Sequence, residues 1–217
     1  MASYVVRVWL PDRPGALGAV AGCIGAARGD LVGIDILERG AGRAIDELVI
    51  ELADPEMMAA LVREMNQVEG VDVEDVRLRS DVARDPRLDA LESAIVLVEA
   101  RSPGQLLDVL AGRAGADFEA DWAVVLVLEG PTVLARYGRP PDGAWLSAFI
   151  SGSRASLEVG GDLDAVDDVA WANLGAAEMT LVLGRRGRPL RTRERRQANS
   201  LARIADARWV ELMTRTK

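Results

Sequence analysis

The sequence predicts an α+β protein built as two domains, and three observations carry that prediction. Runs that alternate apolar and polar residues, the period of a half-buried strand, interleave with runs spaced i, i+3, i+4, i+7, the period of a helix face. Over residues 1–80 these runs follow the order strand, helix, strand, strand, helix, strand. A polar stretch ending in proline, Ser80 to Pro86, then separates them from a second series of helices and strands, which places the domains at 1–80 and 81–217.

In the first domain, Tyr4-Val5-Val6-Arg7-Val8-Trp9-Leu10 is rich in β-branched and aromatic residues and reads as a strand. Asp12-Arg13-Pro14-Gly15-Ala16-Leu17-Gly18 follows and opens a helix whose apolar face is Leu17, Val20, Ala21, Ile24 and Ala27. Asp12 is a candidate cap, Pro14 presets φ near the first turn, and Gly15 lets a backbone or ligand approach closely. The free N–H groups and positive dipole end of such a helix favour a carboxylate or phosphate, although Asp-x-Pro-Gly is equally good chemistry for a plain turn.

Asp30 to Glu38 reads as a second strand with Ile34 and Ile36 on one face, and Gly40-Ala41-Gly42-Arg43 as a hairpin turn. Ala44 to Leu52 returns as the third strand. Asp54-Pro55 then caps a helix carrying Met57, Met58, Leu61, Val62 and Met65, methionines whose helical spacing marks core filling rather than a soft-metal face. Val71 to Leu78 alternates as the fourth strand. The order βαββαβ is the ferredoxin-like arrangement, two helices over one face of a four-stranded antiparallel sheet.

With Asp12 to Leu17 between its first strand and helix, this unit (residues 3–79) resembles an ACT domain. That resemblance implies a regulatory module that binds an amino acid and pairs with a second copy. Its ligand would lie at an interface, between the Asp12 to Gly18 loop and the second-strand entry of a neighbour, which falls at Leu31, Val32, Gly33 and Ile34. Serine-binding members resemble a pattern with His and Asn here. In this chain Leu10 and Leu31 stand in the neighbourhood of the His and the second Asn, and Asp12 replaces the loop Asn. An amide that donates and accepts has become an acceptor-only carboxylate. Asp12 suits a ligand ammonium, with the helix N–H groups receiving its carboxylate, but the serine pattern is lost.

The second domain starts with a helix face at Leu88, Leu91, Ala94, Ile95 and Val98, and Ser102-Pro103 opens another with Leu106, Leu107, Val109 and Leu110. Asp121 to Leu128 is a strand too apolar to have a wet face. Glu129-Gly130-Pro131 turns it into Thr132 to Gly138, and a helix from Gly143 to Ser153 carries Trp145, Leu146, Phe149 and Ile150. Strands follow at Asp168 to Leu174 and Glu178 to Gly184, and a final helix runs from about Thr192 to Met213. The hairpin Ala123 to Tyr137, the strand Met179 to Leu183 and the stretch Gly184 to Leu190 before the closing helix resemble a GAF-like domain over residues 86–213. Such modules bind varied small molecules or dimerise, so the resemblance implies no particular ligand.

Composition narrows function further. The chain has 217 residues, 49% hydrophobic and 28% charged, enough for buried cores. A formal net charge of -8 argues against nucleic-acid or anionic-membrane partners. Lys217 is the only lysine, and the arginine-, alanine- and glycine-rich usage suggests a GC-rich bacterial genome. Histidine is absent, which excludes a Ser-His-Asp triad and histidine metal ligation. The single Cys23 sits in the first helix as a packing residue and cannot build a disulfide or a zinc site within the chain. No N-terminal signal and no run of about 18 apolar residues appears, so the expectation is a soluble cytoplasmic protein.

Three other groups invite a functional reading. Asp162, Asp164 and the pair Asp167-Asp168 are the only candidate acid pairs, but their Gly/Asp context marks loops. Arg185, Arg186, Arg188, Arg191, Arg193, Arg195 and Arg196 suit phosphate. Glu194 interrupts them and no aromatic interleaves, so they read instead as a solvated turn and helix face. Trp122, Trp145, Trp171 and Trp209 read as packing. The expectation is therefore an amino-acid-binding regulatory protein, a homodimer, without catalytic residues, metal or cofactor. A ligand-independent assembly module, or a regulatory partner of a metabolic enzyme, is the alternative.

Overall fold

The computed structural model describes residues 1–79, 86–158 and 168–215. The chain divides into two compact units, Met1–Ala83 and Arg84–Lys217. Asp162, Asp164, Asp167 and Lys217 lie outside the described residues, as does the boundary stretch from Ser80 to Asp85.

The N-terminal unit runs β1 (Ala2–Pro11), α1 (Ala16–Ala26), β2 (Gly29–Gly40), β3 (Arg43–Leu52), α2 (Met58–Met65) and β4 (Asp72–Leu78). Its strands lie in the order β2-β3-β1-β4, all neighbours antiparallel, the ferredoxin-like arrangement. Alternation sorts the faces. Val6, Val8 and Leu10 of β1 and Leu48, Ile50 and Leu52 of β3 form a core with Val20 and Ile24 of α1 and Met58, Leu61 and Met65 of α2. Each such side chain removed from water contributes about 1.5–3 kcal/mol. Asp54 caps the 3-10 turn Pro55–Met57 ahead of α2, its Oδ1 accepting the Glu56 N–H at 3.0 Å. Ala41 and Gly42 both have positive φ, 50° and 75°, the signature of the two-residue turn that matches strand twist.

The opposite face of this sheet is charged. Arg7 is wholly buried there, donating from Nε and Nη2 to Glu47 Oε1 at 3.1 and 2.9 Å. Arg77 donates to the same oxygen at 3.0 Å.

The C-terminal unit comprises α3 (Pro86–Val98), α4 (Pro103–Asp117), β5 (Trp122–Val127), β6 (Thr132–Gly138), α5 (Gly143–Glu158), β7 (Val169–Leu174), β8 (Met179–Gly184) and α6 (Thr192–Arg215). The sheet order is β6-β5-β8-β7, again antiparallel throughout. Ala123 and Val125 join the core built with α4 and α6, whereas Val124 and Leu126 join Leu146 and Ile150 of α5. Burial on both faces is why β5 reads as a continuous apolar run. Ser102 caps α4, accepting the Gln105 N–H at 3.3 Å.

The arginine-rich stretch differs from the solvated face expected of it. Arg185 is 4% exposed and donates to the carbonyls of Phe118 (2.7 Å), Arg188 (2.7 Å) and Pro189 (2.9 Å). Glu194, read as an interruption, is its ion-pair partner at 2.7 Å and also accepts the Arg191 N–H. Arg188 pairs with Glu119, and Arg195 donates to the carbonyls of Leu190 and Val169. These guanidiniums pin the loop before α6 to the rest of the unit, because a rigid fork satisfies several carbonyls at once.

Three of the four tryptophans of this unit share the α5 side of its sheet. Trp145 stacks on Phe149 with ring centroids 5.2 Å apart, and Phe149 meets Trp171 edge-on at 6.3 Å. Trp122 packs nearby, while Trp209 packs against the other core.

Candidate functional site

The loop from Asp12 to Gly18 sits where β1 ends and α1 begins. The Asp12 N–H donates to the Gly42 carbonyl at 2.9 Å, tying the loop to the β2–β3 turn, and the Arg13 N–H turns back to Pro11 at 2.8 Å. Gly15 is the N-cap of α1, with φ at 90°, a value that glycine adopts freely and other residues only with strain. The first helical bond runs from the Ala19 N–H to the Gly15 carbonyl, so the amides of Leu17 and Gly18 have no helical partner upstream. A Cβ added at Gly15 or Gly18 would meet nothing within 4 Å. The glycines leave room rather than permit tight packing.

The expected Asp12 cap is absent. No side chain caps α1, and its first turn carries no acidic residue. Three residues, Arg13, Pro14 and Gly15, separate Asp12 from the first helical residue, too far for a cap, which reaches the second or third amide from its own position. Asp12, Arg13, Pro14, Gly15 and Gly18 are exposed, Leu17 is half-buried and Ala16 is buried.

The second group of predicted residues lies on edge strand β2. Leu31 is opposite Ile50, Gly33 opposite Val49 and Ile34 opposite Leu48, with Val32 at a bulge. Ile50 and Leu48 in turn lie opposite Tyr4 and Val6 of β1. The loop follows Pro11, so within one chain the two halves stand at opposite ends of the sheet, on the order of 20 Å apart at about 3.3 Å per residue. A single copy does not bring them together.

Beside the loop, sequence reasoning missed Asp46. It lies on β3 opposite Val8 and Ile36, on the face shared with Leu48, Ile50 and Leu52, which α1 covers. Only 4% of it is exposed, and its Oδ1 has no hydrogen-bond partner among the described residues. Burial pushes its carboxyl up from the ordinary carboxylate range, Arg39 pulls it down, and Asp12 pushes it up again. The signal was present, since Asp46 stands at an inward position of the Ala44 to Leu52 alternation.

Among the described residues no group of three acidic or sulfur ligands could hold a metal ion, and no helix is long and apolar enough to cross a membrane.

Residues 4–70 match the family model of the ACT domain, and the N-terminal unit carries that domain. No curated protein matches the chain. Among solved structures, the ACT domain from the GTP pyrophosphokinase of Chlorobium tepidum is 18% identical, with a TM-score of 0.30, over 36% of this chain and 97% of that one. A formyltetrahydrofolate deformylase from Pseudomonas putida is 14% identical, with a TM-score of 0.28, over 41% of this chain and 36% of that one. A bacteriophytochrome from R. palustris is 10% identical, with a TM-score of 0.43, over 84% of this chain and 43% of that one.

Proposed function

We propose that the chain is a cytoplasmic regulatory protein that binds an amino acid at the Asp12 to Gly18 loop, completed by β2 of a second copy. The observation that carries this reading is the separation of the two halves along the sheet. β2 is an edge strand on which Val32, Ile34 and Ile36 are 47%, 41% and 41% exposed. Pairing it antiparallel with its own copy about Asp35 would bring Leu31 to Ile34 of one chain beside Ile36 to Arg39 of the other, at the loop end of that sheet. An exposed apolar edge favours such pairing.

The neighbouring helix supports the same partner. α1 contains no charged residue, and Gly18, Ala19, Gly22, Gly25 and Ala26 face outward. In this arrangement the ligand carboxylate meets the Leu17 and Gly18 amides and its ammonium the acidic side of the loop. A ligand held by both copies stabilises the dimer by its differential affinity for that state. The reading assigns the protein no catalysis, cofactor, nucleic acid or membrane.

Thermal unfolding against each of the twenty amino acids at millimolar concentration tests it, with sedimentation measuring oligomeric state. A ligand at about 100 times its dissociation constant adds roughly 2.7 kcal/mol. The expected result is a raised midpoint with one amino acid or a related pair, lost in Gly15→Val and in the dimer-breaking Ile34→Asp. A dimer that ignores every amino acid would replace this reading with ligand-independent assembly, which the apolar edge alone would also support.

A further inference from the structure

We propose that Asp46 is the floor of the loop site and anchors a primary ammonium, so that the site accepts amino acids and rejects the corresponding 2-oxo acids. The inference rests on the reading of the loop given above and adds the residue and the chemical class. A carboxylate as buried as this one carries a large desolvation penalty unless something positive or a set of donors meets it. Asp46 has neither a hydrogen bond to Oδ1 nor an ion pair among the described residues, although β3 is paired with β1 on one side and β2 on the other, the β2 register shifting between Ile36 and Glu38 beside it.

Its position connects it to the loop rather than to the middle of the core. Asp46 is two residues from Ala44, which lies opposite Leu10 where β1 gives way to the loop. It feels the charge of Asp12 across that end of the sheet, and of Arg39 at the end of β2. Arg39 forms no ion pair with it.

Arg39 acts on Asp46 through its charge alone and no donor among the described residues reaches Oδ1, so a hydrogen-bonded cation would come from outside the unit. No group of three acidic or sulfur ligands among the described residues could hold a metal ion, so a metal here would lack ligands. A primary ammonium needs fewer, since its three donors divide between a carboxylate and neighbouring carbonyls. Asp46 below, Asp12 at the rim and the open amides of Leu17 and Gly18 thus present two acceptors and an anion-binding end to one zwitterion. A 2-oxo acid supplies the carboxylate but leaves Asp46 unmet, and a site built for a donor discriminates strongly against an analogue without it.

Isothermal titration of the full chain, the Asp46→Asn variant and the Gly15→Val variant decides the matter. The probes are the twenty amino acids and the 2-oxo acids of those that bind, for example leucine against 4-methyl-2-oxopentanoate. The expected result is binding of the amino acid alone by the natural chain, and at least a tenfold loss in Asp46→Asn without a fall in its ligand-free melting midpoint. If Asp46→Asn keeps the natural affinity while Gly15→Val loses it, the loop binds but Asp46 is not the anchor. Equal binding of the 2-oxo acid overturns the anchor as well. If no amino acid binds the natural chain, the loop reading and this inference both fall.

Discussion

Asp46 and Glu47 are neighbours on β3 and look out from opposite faces of one sheet. Glu47 collects Arg7 and Arg77 at 2.9–3.1 Å, whereas Oδ1 of Asp46 accepts no hydrogen bond among the described residues and Arg39 acts on it through charge alone. Burial pushes the Glu47 carboxyl up, but the Arg77 and Arg7 guanidiniums outweigh it, and the net effect is a lowered value. For Asp46 burial dominates and the carboxyl is raised. Two adjacent acids thus act on the fold with opposite sign. The lesson is that a buried charge stabilises only where its partner was folded in with it, and one left without a hydrogen-bonded partner costs stability.

Breaking the compensated side should have the largest effect. Glu47→Ala strands the buried Arg7 guanidinium and should cost about 3–5 kcal/mol, read as a fall in the denaturant midpoint. A loss below about 1 kcal/mol would mean that Glu74, 3.9 Å from Arg7 Nε, takes over, and the contrast between the faces would collapse.

The same contrast between filled and open ground recurs among the helix glycines. A Cβ at Gly115 of α4 would collide with the Tyr137 ring. Gly115→Ala should therefore destabilise the C-terminal unit by about 1–3 kcal/mol. Gly18→Ala, which meets nothing, should add up to about 1 kcal/mol of helix stability. If it also weakens the dimer in sedimentation, α1 is packed against its copy.

Asp46→Asn should raise stability at neutral pH by about 1 kcal/mol, because an unpartnered buried charge becomes a neutral amide. Its pH dependence gives the sign. A carboxyl raised in the folded state takes its proton before the unfolded chain does, so its penalty is present above the folded value and relieved as pH falls through it. Glu47, lowered when folded, contributes stability above its ordinary 4.5 that is lost as pH drops through the folded value. Acidification from neutrality should first close the gap between the natural chain and Asp46→Asn, and then destabilise both. A gap independent of pH would show that Asp46 does not titrate as a buried acid.

Much of the fold was legible because alternation and helical spacing report burial directly. β1, the hairpin into β3, and the double-sided β5 all appear at their expected places. The arginine stretch was misread for a physical reason. Its partners are carbonyls of Phe118, Val169 and Leu190 together with Glu194, and backbone acceptors leave no mark in sequence. The Asp12 cap failed because a capping residue and a turn residue look alike until the helix start is known.

The sequence by itself determined the βαββαβ order, the glycine that the loop needs before α1, and the inward position of Asp46, since each follows from local periodicity or backbone freedom. Only the tertiary structure decided that β2 is an edge strand, that its Leu31 to Ile34 end lies far from the loop, and that Glu47 is compensated while Asp46 is not. Strand order and charge pairing join residues tens of positions apart, and no local pattern carries that information.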